Sequence, residues 1–128
     1  MQPLTREWVG KAEGDFATAR RELRARKAPN YDAACFHAQQ CVEKYLKARL
    51  QEADMPFGRT HNLPALLELL LPIEPSWEIL RPHLRVLTAF AIGVRYPGES
   101  ANRAMAREAL ALCREVRRHI RRSLGLEL

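Results

Sequence analysis

Four groups of residues in this 128-residue chain have the types and spacing to bind an anion such as phosphate. In the first group, His37, Gln40 and Lys44 lie at positions i, i+3 and i+7 of a predicted helix and therefore share one face. An imidazole beside an ammonium could bind phosphate. The alternative role is structural, because Glu43 and Lys47 form a favourable i, i+4 pair and His37 could hydrogen-bond across a helical bundle. The structural role is the favoured interpretation.

The second group is the tetrapeptide Thr60-His61-Asn62-Leu63, which opens a short predicted helix. The free backbone N–H groups and the positive dipole end of such a helix can hold an anion, and His61 lies at that point. Alternatively, Thr60 and His61 cap the turn and fix the loop against the preceding helix. Both interpretations remain open.

The third group is Arg95-Tyr96-Pro97, where another predicted helix stops because Tyr96 precedes a proline and is pushed away from helical angles. A guanidinium displayed at a helix break is well placed to bind a phosphate or carboxylate. Arg95 could equally clamp the carbonyl groups at the helix end.

The fourth group is a basic ridge of arginines on the last predicted helix. At about 100° per residue they fall within an arc of about 100°, roughly opposite the apolar stripe, and only Leu110 interrupts them. Such a ridge could follow a phosphate backbone or dock an acidic partner, but a solvated helix face is the favoured alternative. The ridge consists of Arg103, Arg107, Arg114, Arg117, Arg118 and Arg121.

Five helices must position these groups, since apolar residues recur every three or four positions in five segments. We predict helices over about residues 5–27, 30–53, 77–94 and 100–123, with a short helix that starts after Thr60 or Asn62 and ends before Pro72. Thr5 and Asn30 are the predicted caps of the first two helices. The predicted fold is an all-α, up-and-down bundle of four long helices plus one short helix, forming a single domain over residues 1–128.

Composition agrees with one globular domain, at 47% hydrophobic and 28% charged residues. No apolar run approaches the roughly 20 residues that cross a bilayer, and no signal peptide is evident, so we expect a cytoplasmic protein. Cys35, Cys41 and Cys113 lack metal-ligand spacing and are predicted to be buried free thiols; no metal and no cofactor are predicted. The net charge of +6 rests on 17 Arg and 4 Lys, which permits nucleic-acid or nucleotide binding, although on composition alone a codon or growth-temperature bias is the favoured explanation.

Three blocks together resemble the HEPN (higher eukaryotes and prokaryotes nucleotide-binding) domain family. They are His37 to Ala48, Thr60 to Leu63 and Arg95 to Pro97, and the resemblance extends from about Trp8 to Leu124. It implies a dimeric nucleotide-binding or interaction subunit that works with a small nucleotidyltransferase in a toxin–antitoxin-like module. Phosphate contacts would come from Arg95 with Tyr96, and from His61, Lys44 and His37.

The ribonuclease branch of that family has a histidine four to six residues beyond the arginine, and the pair resembles a catalytic centre. Here Ser100, Ala101 and Asn102 occupy the corresponding positions, so the usual proton-transfer group is missing. Arg114 and His119 match the spacing, but within one continuous helix they point about 140° apart. A binding role is therefore favoured over catalysis.

Two further alternatives stay open. One is a metal-independent ribonuclease that uses Arg95 with a histidine from elsewhere, and the other is a purely structural dimerisation domain whose arginines keep it soluble. Nucleotide transfer by the chain itself is not predicted, because it lacks a glycine-rich phosphate loop and an acidic magnesium site. All three interpretations predict a homodimer or a higher homo-oligomer.

Overall fold

The protein is an all-α, up-and-down helical bundle. The computed structural model describes residues 1–93 and 96–128. The predicted fold class is confirmed. In the described ranges no helix is long and apolar enough to cross a membrane. The helices are α1 (Pro3–Arg24), α2 (Tyr31–Glu52), α3 (Leu63–Leu70), a 3₁₀ helix (Pro75–Leu80), α4 (Arg81–Gly93) and α5 (Arg103–Ser123).

Three asparagines cap the helices that carry the candidate residues. Each side-chain oxygen accepts a hydrogen bond from the backbone N–H three residues later, at 2.9 Å for Asn30, 3.1 Å for Asn62 and 2.8 Å for Asn102. Such caps satisfy amides that a helix leaves unpaired. The predicted cap at Asn30 is confirmed, and of the two predicted caps of the short helix, Thr60 and Asn62, the cap is Asn62. The cap at Asn102 starts the last helix slightly later than predicted.

Thr5 does not cap the first helix, so that prediction is wrong. α1 begins at Pro3, whose ring favours the first helical position, and Thr5 is buried within the first turn. The Thr5 hydroxyl donates to Glu52 Oε1 at 3.0 Å, as does the backbone N–H of Gln2. These bonds tie the start of α1 to the end of α2.

The fourth predicted helix is divided in two. Trp77 lies in the 3₁₀ helix, and the regular α-helix begins only at Arg81. Pro82 explains the division, because its missing N–H is tolerated in the first turn of an α-helix and not further in.

α2 lies at the centre of the bundle and packs against each of the other four α-helices. Its buried residues include three of the largest fully buried side chains, those of Tyr45, Leu46 and Leu50. The three cysteines are buried and free, as predicted. Burial, aided by the charge of Asp32, raises the pKa of the Cys35 thiol to about 11, so this thiol stays protonated and unreactive at neutral pH.

Glu13 on α1 joins α1 to α2 and α5. Arg117 donates from Nε and Nη2 to its two carboxylate oxygens at 2.7 Å each, and the Tyr45 hydroxyl donates to Oε2 at 2.5 Å. Arg121 Nη1 in turn donates to the Tyr45 oxygen at 2.9 Å. Burial opposes ionisation of Glu13, but the hydrogen bonds from Arg117 and Tyr45 outweigh it, and its pKa is lowered.

The hydrogen bonds of Glu13 predict that the Glu13→Gln variant is less stable than wild type, by an amount that depends on pH. A carboxylate with a lowered pKa stabilises the fold above its ordinary pKa, and the contribution is lost as the pH falls through the folded-state pKa. We expect Glu13→Gln to lower the free energy of unfolding by about 1–2 kcal/mol at pH 7, allowing for solvent screening of the partly exposed carboxylate. Urea unfolding at pH 7 and pH 3 measures the free energy of unfolding of both proteins. The difference between the variant and wild type should be smaller at pH 3.

The matched control is Glu7→Gln, which removes an exposed carboxylate from the same helix. Glu7 forms no ion pair within the described part of the chain, so its loss should have little effect at either pH. Equal destabilisation by the two substitutions would contradict the role given to Glu13.

Candidate functional site

His37 and Lys44 lie together on one face of α2, as their spacing predicts, and both contact Asp15 of α1. His37 Nδ1 lies 2.8 Å from Asp15 Oδ1, and Lys44 Nζ lies 2.5 Å from Oδ2. The Asp15 carboxylate is largely buried. A phosphate at these two residues would therefore compete with an internal carboxylate, which agrees with the structural interpretation.

Asp15 itself was not identified from the sequence. The available signal was an acidic residue on the apolar stripe of the first helix, between Ala12 and Ala19 and beside Phe16. A buried acid in such a stripe must find a partner on the facing helix.

His61 is held against α2 by Glu43. Its Nδ1 lies 3.0 Å and 3.1 Å from the two Glu43 oxygens, while Lys47 donates to the same carboxylate at 3.1 Å. The predicted Glu43–Lys47 pair is thus confirmed, and its side chains are only 4% and 6% exposed. The His61 side chain is 74% exposed, so it anchors the loop and still faces solvent.

Aromatic rings from two other segments cover Lys47. Its Nζ lies 5.6 Å from the ring centre of Trp8 and 5.9 Å from that of Phe57. Such cation–π contacts favour a desolvated ammonium. They join the start of α1 and the loop before His61 to the middle of α2.

A groove of about 910 Å³ lies between α2, the start of α3 and α4. Below we call it the α2–α4 groove. This volume lies within the range of small-molecule sites. The side chains that give it chemical character are Phe36, Gln39, Gln40, His61, Arg85 and Ile92.

The side-chain amides of Gln39 and Gln40 orient each other in the α2–α4 groove, since Gln40 Nε2 donates a hydrogen bond to Gln39 Oε1 at 2.8 Å. Phe36 and Ile92 add exposed apolar surface, and His61 and Arg85 add side chains that can carry positive charge. The sequence pointed to His61 and Gln40 but not to Phe36, Arg85 or Ile92. No spacing signal links those three, because α2 and α4 meet only in the folded chain.

Arg95, the arginine of the third motif, lies outside the described residues. Its neighbour Tyr96 is 64% exposed, and the backbone turns there, with the Glu99 N–H donating to the Tyr96 carbonyl at 3.2 Å. Gly98 has a φ of 87°, a conformation that favours glycine. Along the chain the motif follows Ala91 and Ile92, which line the α2–α4 groove.

The basic ridge of α5 is narrower than predicted. Arg117 and Arg121 do not lie on the outer face, because both are within ion-pair distance of Glu13 and are largely buried. Leu110 does not interrupt an exposed surface, since it is 3% exposed and belongs to the core. The reason is that α1 packs against this flank of α5. Arg103, Arg107, Arg114 and Arg118 remain exposed.

Arg114 and His119 form no catalytic pair with each other. His119 Nδ1 lies 2.9 Å from the Glu115 carbonyl oxygen, one turn back in the same helix, and therefore donates to it. Arg114 instead lies over the ring of Phe16, with Cζ 5.9 Å from its centre. This agrees with treating their spacing as accidental.

Comparison with known proteins supports the resemblance drawn from the three sequence blocks. No curated protein and no solved structure matches the chain. The family model of the HEPN domain matches residues 5–123, nearly the whole sequence. An all-helical bundle with that match shows that the chain belongs to the HEPN domain family.

Proposed function

We propose that this chain is a nucleotide-binding and interaction subunit, and that the nucleotide binds in the α2–α4 groove. The observation that carries the proposal is the composition of that groove. One concave surface combines an exposed aromatic ring, two oriented amides, the imidazole of His61 and the guanidinium of Arg85. Nucleotides present a flat ring, hydrogen-bonding edges and phosphate, which these groups complement.

The proposed contacts follow from the chemistry of the lining. Phe36 and Ile92 would contact the base, and Gln40 would hydrogen-bond to its edge. His61 and Arg85 would bind phosphate, as would Arg95 and Tyr96 after the end of α4. His37 and Lys44 take a smaller part, because Asp15 already holds both.

Binding rather than cleavage is proposed because the positions that carry a histidine in the ribonuclease branch hold Ser100, Ala101 and Asn102. None of these side chains has the imidazole that normally transfers the proton of a ribose hydroxyl. Asn102 is moreover engaged as the cap of α5.

The nucleotide site is tested with His61→Ala and Arg95→Ala. Each removes a group proposed to bind phosphate through a charge-assisted hydrogen bond, so we expect affinity to fall at least about tenfold. Isothermal titration with AMP, ADP and ATP measures the change. His83→Ala is the matched control, since His83 lies on α4 and is not among the groove residues. Unchanged affinity in both site variants would refute the proposed site.

We further propose that the subunit is a homodimer whose contact surface includes the rim of the α2–α4 groove. Ile92 on α4 is 50% exposed. Phe36 lines the same groove and is 38% exposed, and Tyr96, four residues after Ile92 in the chain, is 64% exposed. Large exposed apolar side chains grouped in one region are typical of interaction surfaces.

A charge at this rim should weaken the dimer. We expect Ile92→Glu to raise the dimer dissociation constant at least about tenfold, because a carboxylate would have to be desolvated at the interface. Sedimentation equilibrium over a concentration series measures the constant. Ile79→Glu, at an exposed isoleucine of the 3₁₀ helix, should behave like wild type. A monomeric wild type, or equal effects of both substitutions, would contradict the proposal.

The partner that family membership suggests is a small nucleotidyltransferase in a toxin–antitoxin-like module. We expect a nucleotidyltransferase encoded beside this chain to co-purify with it in a fixed ratio when both are expressed together. Expression of this chain alone should slow growth, and co-expression should restore it. Independent elution of the two proteins together with normal growth would count against the module.

A further inference from the structure

We propose a second binding site, for the phosphate backbone of a single-stranded nucleic acid, along the surface where the second half of α1 meets α5. This inference goes beyond nucleotide binding in the α2–α4 groove and does not depend on it. It rests on arginines of α1 and its following loop, which the sequence did not single out, together with the exposed part of the α5 ridge.

The centre of this surface is a groove of about 790 Å³. Arg24 and Arg26 line it from the end of α1 and the loop that follows, and Arg103 and Arg107 line it from the first turns of α5. Tyr31 adds an aromatic ring, partly exposed. Because this is the N-terminal end of α5, the helix dipole adds further positive potential.

Two smaller grooves extend the central one. The first includes Arg20, Arg21 and Arg24, and the second includes Arg20, Arg114 and Arg118. Since Arg24 belongs to the central groove and the first extension, and Arg20 to both extensions, the three form one continuous track. We call it the α1–α5 track.

The length of the α1–α5 track suits a single strand of nucleic acid. Arg103 and Arg118 are fifteen residues apart on one helix, which corresponds to about 22 Å at about 1.5 Å per residue. A nucleic-acid strand in helical geometry carries one phosphate per about 3.4 Å, so the track can contact several consecutive phosphates. A single phosphate would engage only part of it.

The charges of the track are largely unneutralised. Of the described residues, no Asp or Glu lines any of its three grooves. Arg118 pairs with Glu115 at 3.6 Å, and Arg117, at the edge, pairs with Glu13. The other seven arginines form no ion pair with any described residue, and they are Arg20, Arg21, Arg24, Arg26, Arg103, Arg107 and Arg114.

Phe16 holds part of this like-charged surface together. Three guanidinium carbons lie over its ring, those of Arg20 at 5.5 Å, Arg114 at 5.9 Å and Arg117 at 4.6 Å. Arg20 Nε is buried and forms no hydrogen bond with any described residue. This donor can therefore bond to a phosphate oxygen that enters the groove.

Phosphate explains these features better than an acidic protein does. The cations are almost all arginine, whose planar fork binds phosphate in a bidentate manner. The track is also a positively charged groove, the form of surface that follows the backbone of a single strand. Tyr31 can stack on an unpaired base, which favours a single strand over a duplex.

The test compares two triple variants that lose the same net charge. Arg24→Gln, Arg103→Gln and Arg107→Gln together remove three of the four arginines of the central groove. The control combines Arg6→Gln, Arg59→Gln and Arg122→Gln at exposed positions outside the track. The probe is a fluorescein-labelled 12-nucleotide single-stranded RNA, read by anisotropy from 50 to 200 mM KCl, with a DNA strand of the same sequence in parallel. Circular dichroism verifies that both variants fold.

Wild type should bind the RNA with an affinity that falls steeply with salt. The track variant should bind at least about tenfold more weakly at 50 mM salt, and its log–log salt slope should be smaller by about 2, at about 0.7 for each lost phosphate contact. The control variant should resemble wild type. If the DNA strand binds as tightly as the RNA, the track recognises the phosphate backbone alone. If the RNA binds more tightly, the track also contacts the ribose.

Three outcomes would overturn the proposal. They are absence of RNA binding by wild type at 50 mM salt, equal losses in the two triple variants, and tighter binding of a 12-base-pair RNA duplex or a poly-glutamate peptide than of the single strand. The nucleotide titration separates this site from the α2–α4 groove, because the track variant should bind nucleotides normally and His61→Ala should bind the strand normally.

Discussion

The burial of α2 is the constraint on which the rest of the structure depends. This helix contacts every other α-helix, yet it carries His37, Glu43, Lys44 and Lys47 as well as the Tyr45 hydroxyl. A polar group that is removed from water must be paired inside the fold. Helices α1 and α5 and the loop before α3 accordingly supply partners. Asp15 and Glu13 come from α1, Arg121 comes from α5, and His61 comes from the loop before α3.

This pairing determines which charged residues stay available for ligands. His37 and Lys44, the two side chains of α2 that the sequence suggested for phosphate binding, are held by Asp15, and two of the six arginines of the α5 ridge are held by Glu13. The His61 ring contacts Glu43 only through Nδ1 and is otherwise exposed, and most arginines along α1 and α5 are exposed. Charge that stabilises the fold and charge that can serve binding are thus divided between different faces of the same helices.

The local features of the fold could be predicted because they depend on neighbours in sequence. Asn30 and Asn62 cap helices through amides three residues away, and Glu43 and Lys47 pair across one helical turn. Thr5 was misassigned as a cap because its hydroxyl bonds to Glu52, which lies 47 residues further along the chain. A pattern read over a few residues carries no information about such a partner.

The sequence alone therefore determined the helical class, the family blocks, the caps at Asn30 and Asn62 and the amphipathic stripes, since each follows from spacing between near neighbours. Only the tertiary structure decided that Phe36, His61, Arg85 and Ile92 line one groove and that Arg24 and Arg26 join Arg103 and Arg107 in another. It also decided that Arg117 and Arg121 belong to the interior. The physical reason is that helical periodicity fixes which side chains share a face, whereas the packing of the helices fixes what that face meets.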